Sequence, residues 1–126
     1  MPSAKLLIGG AAATAALGVR VARSLHARWT LLPEADRLRT AYLADHLKRT
    51  ALDARGAEDL QEAGQRLRDA SETFAAALVE TAEADPEIQA DEVHELREDL
   101  RRELERLATA EIKASRTRRE HHTPPG

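Results

Sequence analysis

Residues 60–114 read LQEAGQRLRDASETFAAALVETAEADPEIQADEVHELREDLRRELERLATAEIKA and decide the fold class. Apolar and small residues recur here at alternating spacings of four and three on both sides of Asp85-Pro86, which predicts two helices, each with an apolar stripe. The stripes are Leu60, Gly64, Leu67, Ser71, Phe74, Leu78 and Thr81 on the first arm, and Val93, Leu96, Leu100, Leu104, Leu107, Ala110 and Ala114 on the second. Asp is a good N-cap and Pro suits the first helical position, so one helix should end and another begin at Asp85-Pro86.

The rest of the chain extends this prediction to an all-α fold that begins with an N-terminal apolar helix. The part that follows is either an antiparallel helical hairpin or a three-helix bundle or coiled coil. The composition agrees, since 33% of the residues are charged and 2% are aromatic, as is typical of long helices. We expect an N-terminal apolar anchor with a basic amphipathic segment at 1–32, a helical bundle at 33–118 and a disordered tail at 119–126.

Within the bundle, helices are predicted at about 33–55, 57–84 and 86–118. Gly56 either ends the first of these helices or lies within one long helix from 34 to 84. Residues Leu31, Ala35, Leu38, Tyr42 and Leu52 suggest an apolar stripe for the first helix, and Leu43 and Leu47 lie off it.

An uncharged run, LLIGGAAATAALGV, occupies residues 6–19 between Lys5 and Arg20. Three interpretations stay open: a short membrane-spanning helix, a cleaved signal peptide, or an Ala/Gly-rich helix packed against protein. A membrane anchor would use the larger apolar side chains and an interfacial tryptophan: Leu6, Leu7, Ile8, Leu17, Val19, Val21 and Trp29.

Two further features bear on this N-terminal segment. Gly10, Thr14 and Gly18 recur every fourth residue, and such a face of small residues allows a second helix to approach closely in lipid. The following basic stretch with Trp29 is typical of a membrane interface, although an amphipathic helix that docks on the rest of the bundle explains it equally well.

Charge is distributed unevenly along the chain. Residues 1–32 carry four bases and no acid, whereas residues 33–114 carry 21 acids and 12 bases. No Lys or Arg lies between Arg68 and Arg97, but nine acids do. We expect the acids around the bend to form a surface for a basic partner, or else a solvated face: Glu80, Glu83, Asp85, Glu87, Asp91 and Glu92. The same acids argue against nucleic acid as a partner.

Sequence motifs for chemistry are absent. The chain has no cysteine and no phosphate-binding glycine loop, nucleophile elbow or zinc pattern. Asp91 and His94 are spaced as carboxylate–histidine pairs in di-iron bundles, but no second such motif completes a site. We therefore predict a protein that is not an enzyme, with no cofactor and no metal; a metal site formed on oligomerisation is the remaining chemical alternative.

The Gly/Ala-rich start LLIGGAAATAALGV, the basic junction after it and the long Ala/Glu/Arg helices resemble the small YtxH-like proteins. That resemblance implies an N-terminal hydrophobic segment followed by a helical tail. Some members occur in stress operons and others in actinobacterial gas-vesicle clusters. It carries over no functional residues, and the high Arg and Ala usage is typical of a high-GC bacterial proteome.

Taken together, these features predict a membrane-tethered helical accessory or scaffold protein that mediates protein–protein interactions. The expected location is the bacterial membrane with the C-terminal body in the cytoplasm, because the bases follow the apolar run. The expected partners are the membrane, another protein that is basic, or a second copy of the chain. The alternative is a helical subunit of a larger particle, such as a phage, secretion or gas-vesicle component, with residues 6–19 buried against protein.

Overall fold

The structure, a computed structural model, describes the backbone of residues 2–122 and the side chains of residues 10–116. It contains four helices: α1 (Pro2–Thr30), α2 (Glu34–Arg55), α3 (Leu60–Ala84) and α4 (Ala90–His122). No β-strand occurs among residues 2–122, so the all-α prediction is confirmed.

Helix ends follow local chemistry. The chain breaks after Arg55, and Gly56 donates its N–H to the Asp53 carbonyl at 3.3 Å. The φ of Gly56 is −104°, so the turn does not need the left-handed conformation. The carboxylate of Asp59 then caps α3 by accepting from the N–H groups of Gln61 and Glu62, each at 3.1 Å. Such capping satisfies N–H groups that have no partner inside the helix.

The bend between α3 and α4 differs in detail from the expected one. Asp85 accepts from the Glu87 N–H through its side chain at 2.9 Å and from the Ile88 N–H through its carbonyl at 3.2 Å. These two bonds make a turn rather than a first helical turn, so α4 begins at Ala90 instead of Pro86. At its other end α4 continues to His122, and residues 123–126 of the expected tail lie outside the described residues.

Contacts between helices define the topology. Arg97 pairs with Glu83 and Arg68 with Glu111, so α4 runs antiparallel to α3. Antiparallel packing also holds for α1 and α4, because Ser24 donates to Glu103 at 2.7 Å while Arg28 pairs with Asp99.

Packing between α1 and α3 is parallel, since Thr14 lies beside Gly64 and Gly18 beside Leu67. The four helices therefore run up, down, up and down. Within the described part of the chain α2 contacts α1 and α3 only, and it makes no contact with α4.

The core lies where α1 and α3 approach each other. Its largest fully buried side chains come from all four helices: Leu25, Leu47, Leu67, Phe74, Leu78, Leu100 and Leu107. Gly18 and Gly64 lie on the α1–α3 contact, where the absence of a side chain allows the two backbones to come close. This diagonal contact keeps α2 and α4 apart, so the outer face of α2 is covered by no other helix in the described residues.

The described part of α1 is a bundle helix. Val21, Ala22 and Leu25 are buried, while Leu17 and Val19 are half-buried against the core. The anchor residues Leu6, Leu7 and Ile8 lie outside the residues whose side chains the structure describes. Across the described residues, no helix is both long enough and apolar enough to span a membrane.

The small-residue face of α1 packs against other helices of the same chain. Gly10 lies against Ala114 of α4, Thr14 against Gly64 of α3, and Gly18 against Leu67. Thr14 also donates to the Gly10 carbonyl at 2.9 Å. The face meets helices of its own chain, because small side chains permit close approach in a soluble core as well as in lipid.

The stripe suggested for α2 is also corrected. Leu38, Tyr42 and Leu52 are exposed, whereas Leu47 is fully buried and Leu43 half-buried. The buried positions of α2 are Asp36, Thr40, Ala44, Leu47 and Ala54. The side that faces the core thus carries small and polar residues beside Leu47, whereas Leu38, Tyr42 and Leu52 point away from it.

Candidate functional site

The outer face of α2 is the most unusual surface of the described chain. Leu38, Tyr42 and Leu52, here called the outer row, keep 70%, 71% and 53% of their surface exposed. Leu31, in the connection before α2, is 85% exposed. An exposed Leu alone needs no explanation, but a row of large apolar side chains on one helix face is typical of an interaction site. The outer row is therefore a candidate binding surface.

An ion pair interrupts the outer row at its middle. Arg49 Nε lies 3.0 Å from the Asp45 carboxylate, one helical turn away, and both side chains are exposed. A polar pair flanked by apolar side chains provides both contact area and orientation, as interfaces commonly do.

Polar contacts hold the inner side of α2 in place. Trp29 Nε1 donates to Thr40 Oγ1 at 2.8 Å, and Thr40 Oγ1 donates to the Asp36 carbonyl at 2.8 Å. Trp29 is half-buried and packs against the core. Its indole therefore joins α1 to α2, as in the second of the two interpretations that the sequence left open, a helix docked on the bundle.

Asp36 is the buried charged group of α2, with 2% of its surface exposed. Its carboxylate accepts from the Arg39 guanidinium through Oδ1, while the buried Oδ2 has no hydrogen-bond partner among the described residues. Interaction with the nearby Asp85 carboxyl group at the α3–α4 bend, together with burial, raises the pKa of Asp36 above its usual value, while Arg39 opposes the rise. The pKa of Asp85 is lowered, through Asp36 and the Glu87 N–H. The pair is suited to hold one proton between two carboxyl groups.

The Asp36–Asp85 pair predicts a pH dependence. A raised pKa means that the folded chain holds a proton that the unfolded chain loses above about pH 3.8. The contribution of Asp36 to stability is thus present below that pH and is lost as the pH rises through its folded pKa. Asp85 acts oppositely, and its contribution is lost below the same pH. We expect Asp36→Asn to gain melting temperature relative to the parent as the pH rises from about 4 to 7.

Thermal melts monitored by circular dichroism at several pH values check this prediction. Asp45→Asn, on the exposed side of the same helix, is the control. A difference between parent and Asp36→Asn that stays constant with pH would show that Asp36 does not titrate with the fold.

Part of the acidic surface at the bend is engaged within the chain. Glu83 pairs with Arg97 of α4, and Asp85 is held by Asp36 and the Glu87 N–H. The remaining acids predicted for a partner surface are exposed and have no ion pair in the described residues: Glu80, Glu87, Asp91 and Glu92. The acidic surface left for a partner is thus smaller than predicted, because Arg97 of α4 pairs with Glu83.

The described residues offer little for catalysis. No three His, Asp or Glu side chains among them lie close enough together to hold a metal ion. Asp91 and His94 are both exposed. An open groove of about 780 Å³ lies between α2 and α3, and His46 is the one imidazole that lines it. Ser71 is fully buried, and its hydroxyl has no hydrogen-bond partner.

Sequence reasoning missed two features of this region. Leu38, Tyr42 and Leu52 belong to the stripe that the sequence suggests for α2, but apolar residues on several sides of this helix leave open which side faces the core. The sequence gives no signal that Asp36 is buried, because an acid in the first turn of a helix is favourable there without burial.

Comparison with known proteins finds no protein-family model, curated protein or solved structure that matches this chain. The resemblance to YtxH-like proteins therefore stays a hypothesis, and the function must be inferred from the surfaces described above.

Proposed function

We propose that this protein is a non-enzymatic helical accessory or scaffold protein that binds another protein through the outer row of α2. The observation that carries the proposal is the exposure of Leu38, Tyr42 and Leu52 on a helix face that no other described helix covers. Tyrosine is enriched at binding hot spots, since it buries a large rigid surface and keeps a polar hydroxyl.

The position of the outer row on the solvent-facing side of α2 supports a role in binding a partner protein. Side chains this large stabilise a fold by about 1.5–3 kcal/mol each when they are buried, yet Leu38, Tyr42 and Leu52 stay exposed while Thr40 and Ala44 take positions on the core side. Binding to a partner would bury the outer row without disturbing the bundle, because Thr40, Ala44 and Leu47 already hold α2 from the inside.

The sequence is compatible with two settings, a membrane tether and a subunit of a larger assembly. The packing of α1 supports the second. From Gly10 onward, α1 packs against α3 and α4. A helix used in this way contributes to the bundle, which favours the setting in a larger assembly.

The proposal is tested by site-specific photocrosslinking in bacterial cells. A photoreactive phenylalanine analogue in place of Leu38 should yield one dominant protein adduct, identified by mass spectrometry. The same analogue in place of Ile112, which is 55% exposed on α4, is the matched control and should not yield that adduct. Tyr42→Gln should lower the adduct from position 38 by about tenfold, as the loss of a hot-spot tyrosine does.

Stability separates a binding effect from misfolding. Because Tyr42 is 71% exposed, Tyr42→Gln should change the free energy of unfolding by no more than about 0.5 kcal/mol. Equal adducts from positions 38 and 112, or an adduct unaffected by Tyr42→Gln, would contradict the proposed role of the outer row.

A further inference from the structure

A groove runs between α1 and α2 on the side away from α3 and α4. Its volume is about 290 Å³, near the lower end of ligand-binding pockets. Apolar side chains from both helices line it: Val19, Ala22 and Ala27 from α1, and Leu47, Ala51 and Leu52 from α2. Several of these are alanines, so a rod-shaped ligand could approach both helix backbones closely.

Cations border this groove on both sides. Arg23 stands on the α1 side, and Lys48 and Arg55 stand on the α2 side. All three side chains are exposed, and none has a carboxylate partner among the described residues. Most other arginines of the described chain do have one, including Arg28, Arg66 and Arg97. An apolar groove bordered by unpaired cations is complementary to an apolar ligand with negative charges along its edges.

The spacing of the cations decides between two kinds of ligand. Lys48 and Arg55 are seven residues apart, which is about 10 Å along a helix at ~1.5 Å per residue. A fatty acid carries one charge at one end, so it could pair with a cation at only one end of the groove. An amphipathic helix presents an apolar stripe with charged residues on both flanks, and it can lie in a groove between two helices.

We propose that the groove between α1 and α2 binds an acidic amphipathic helix of a partner protein, two to three turns long. Its apolar stripe lies over Ala27 and Ala51, and its carboxylates face Arg23 on one side and Lys48 and Arg55 on the other. This site goes beyond the proposed function, since its partner has a different chemistry. It adjoins the outer row at Leu52, which belongs to both surfaces.

The test uses the full chain and a synthetic, fluorescently labelled 14-residue helix with leucines on one face and glutamates on both flanks. We expect anisotropy titrations to give saturable binding that weakens at least tenfold from 50 to 500 mM salt, because exposed charges are screened. A second peptide with lysines in place of the glutamates should not bind. Equal binding of both peptides would overturn the proposal.

A matched pair of variants locates the site. Lys48→Gln with Arg55→Gln removes two charges from the groove, and Arg106→Gln with Arg116→Gln removes two exposed charges from α4. The groove variant should weaken peptide binding at least tenfold and the α4 variant less than twofold. Equal weakening by the two variants would show general attraction between charges and would overturn the proposal.

Two further measurements address other occupants. Amide NMR shifts during the titration should change along 19–27 and 47–55, and changes confined to other helices would overturn the assignment. Sedimentation equilibrium without peptide should show the same mass for parent and groove variant. Dimers that are lost in the groove variant would mean that a second copy of the chain fills the groove, and would overturn the proposal.

Crosslinking from position 38 in the groove variant tests the outer row separately, because Leu38 and Tyr42 are unchanged in that variant.

Discussion

A chain that begins at Thr30 is expected to lose the cooperative thermal unfolding of the full protein. The physical reason is the position of α1, which contacts all three other helices. Its removal takes Val21, Ala22 and Leu25 from the core and exposes Leu67, which is fully buried in the intact bundle. Each large side chain contributes about 1.5–3 kcal/mol through burial, and native domains are stable by only about 5–15 kcal/mol. Circular dichroism at 222 nm and calorimetry check the result.

A point variant provides the control for this truncation. Leu25→Ala in the full chain should cost about 2–5 kcal/mol, since Leu25 has no exposed surface and its removal leaves a cavity. Arg20→Ala, at an exposed position of the same helix, should have little effect. A truncated chain that melts cooperatively at the temperature of the full protein would restore the view of α1 as a detachable anchor.

The second large effect is expected at the α1–α3 contact. A Cβ atom at Gly18 would lie 3.0 Å from Leu67 Cδ1 and 3.2 Å from Leu67 Cβ. The first of these atoms can move, but the second is fixed to the backbone of α3. We therefore expect Gly18→Val to destabilise the protein by about 3 kcal/mol, at the upper end of overpacking effects, as measured by urea unfolding.

Two comparisons make the Gly18 prediction specific. At Gly10 a Cβ would lie 3.8 Å from the nearest atom of Ala114, so Gly10→Ala should be neutral or stabilise by up to about 1 kcal/mol through helix propensity. Leu67→Ala alone should cost about 2–5 kcal/mol. Combined with Gly18→Val it should cost less than the sum of the two single changes, because the smaller side chain makes room for the larger one. Additive costs would mean that these residues do not touch.

The sequence alone determined the helical class and roughly where the helices break, although α3 and α4 begin at Leu60 and Ala90 rather than near 57 and 86. Leucines that recur at spacings of three and four, as at Leu100, Leu104 and Leu107, fit a helix and no strand. Local chemistry at Asp85-Pro86 was enough to locate a break in the chain, because capping and turn preferences depend on a few neighbouring residues. Gly56 fitted either a helix end or one long helix, and only the structure shows that α2 ends before it.

Which face of each helix is buried was decided only by the tertiary structure. On α2 the apolar residues lie on more than one side, so periodicity could not tell whether Leu38 or Leu47 faces the core. Trp29 and Thr40, eleven residues apart, settle this by a hydrogen bond that forms only when α1 and α2 are packed. The residues around Gly18 are likewise compatible with a helix in lipid and with a helix packed against protein. Only the structure shows that Gly18 contacts Leu67 of α3. Helix formation depends on residues within a turn or two of each other, whereas burial depends on which helices meet.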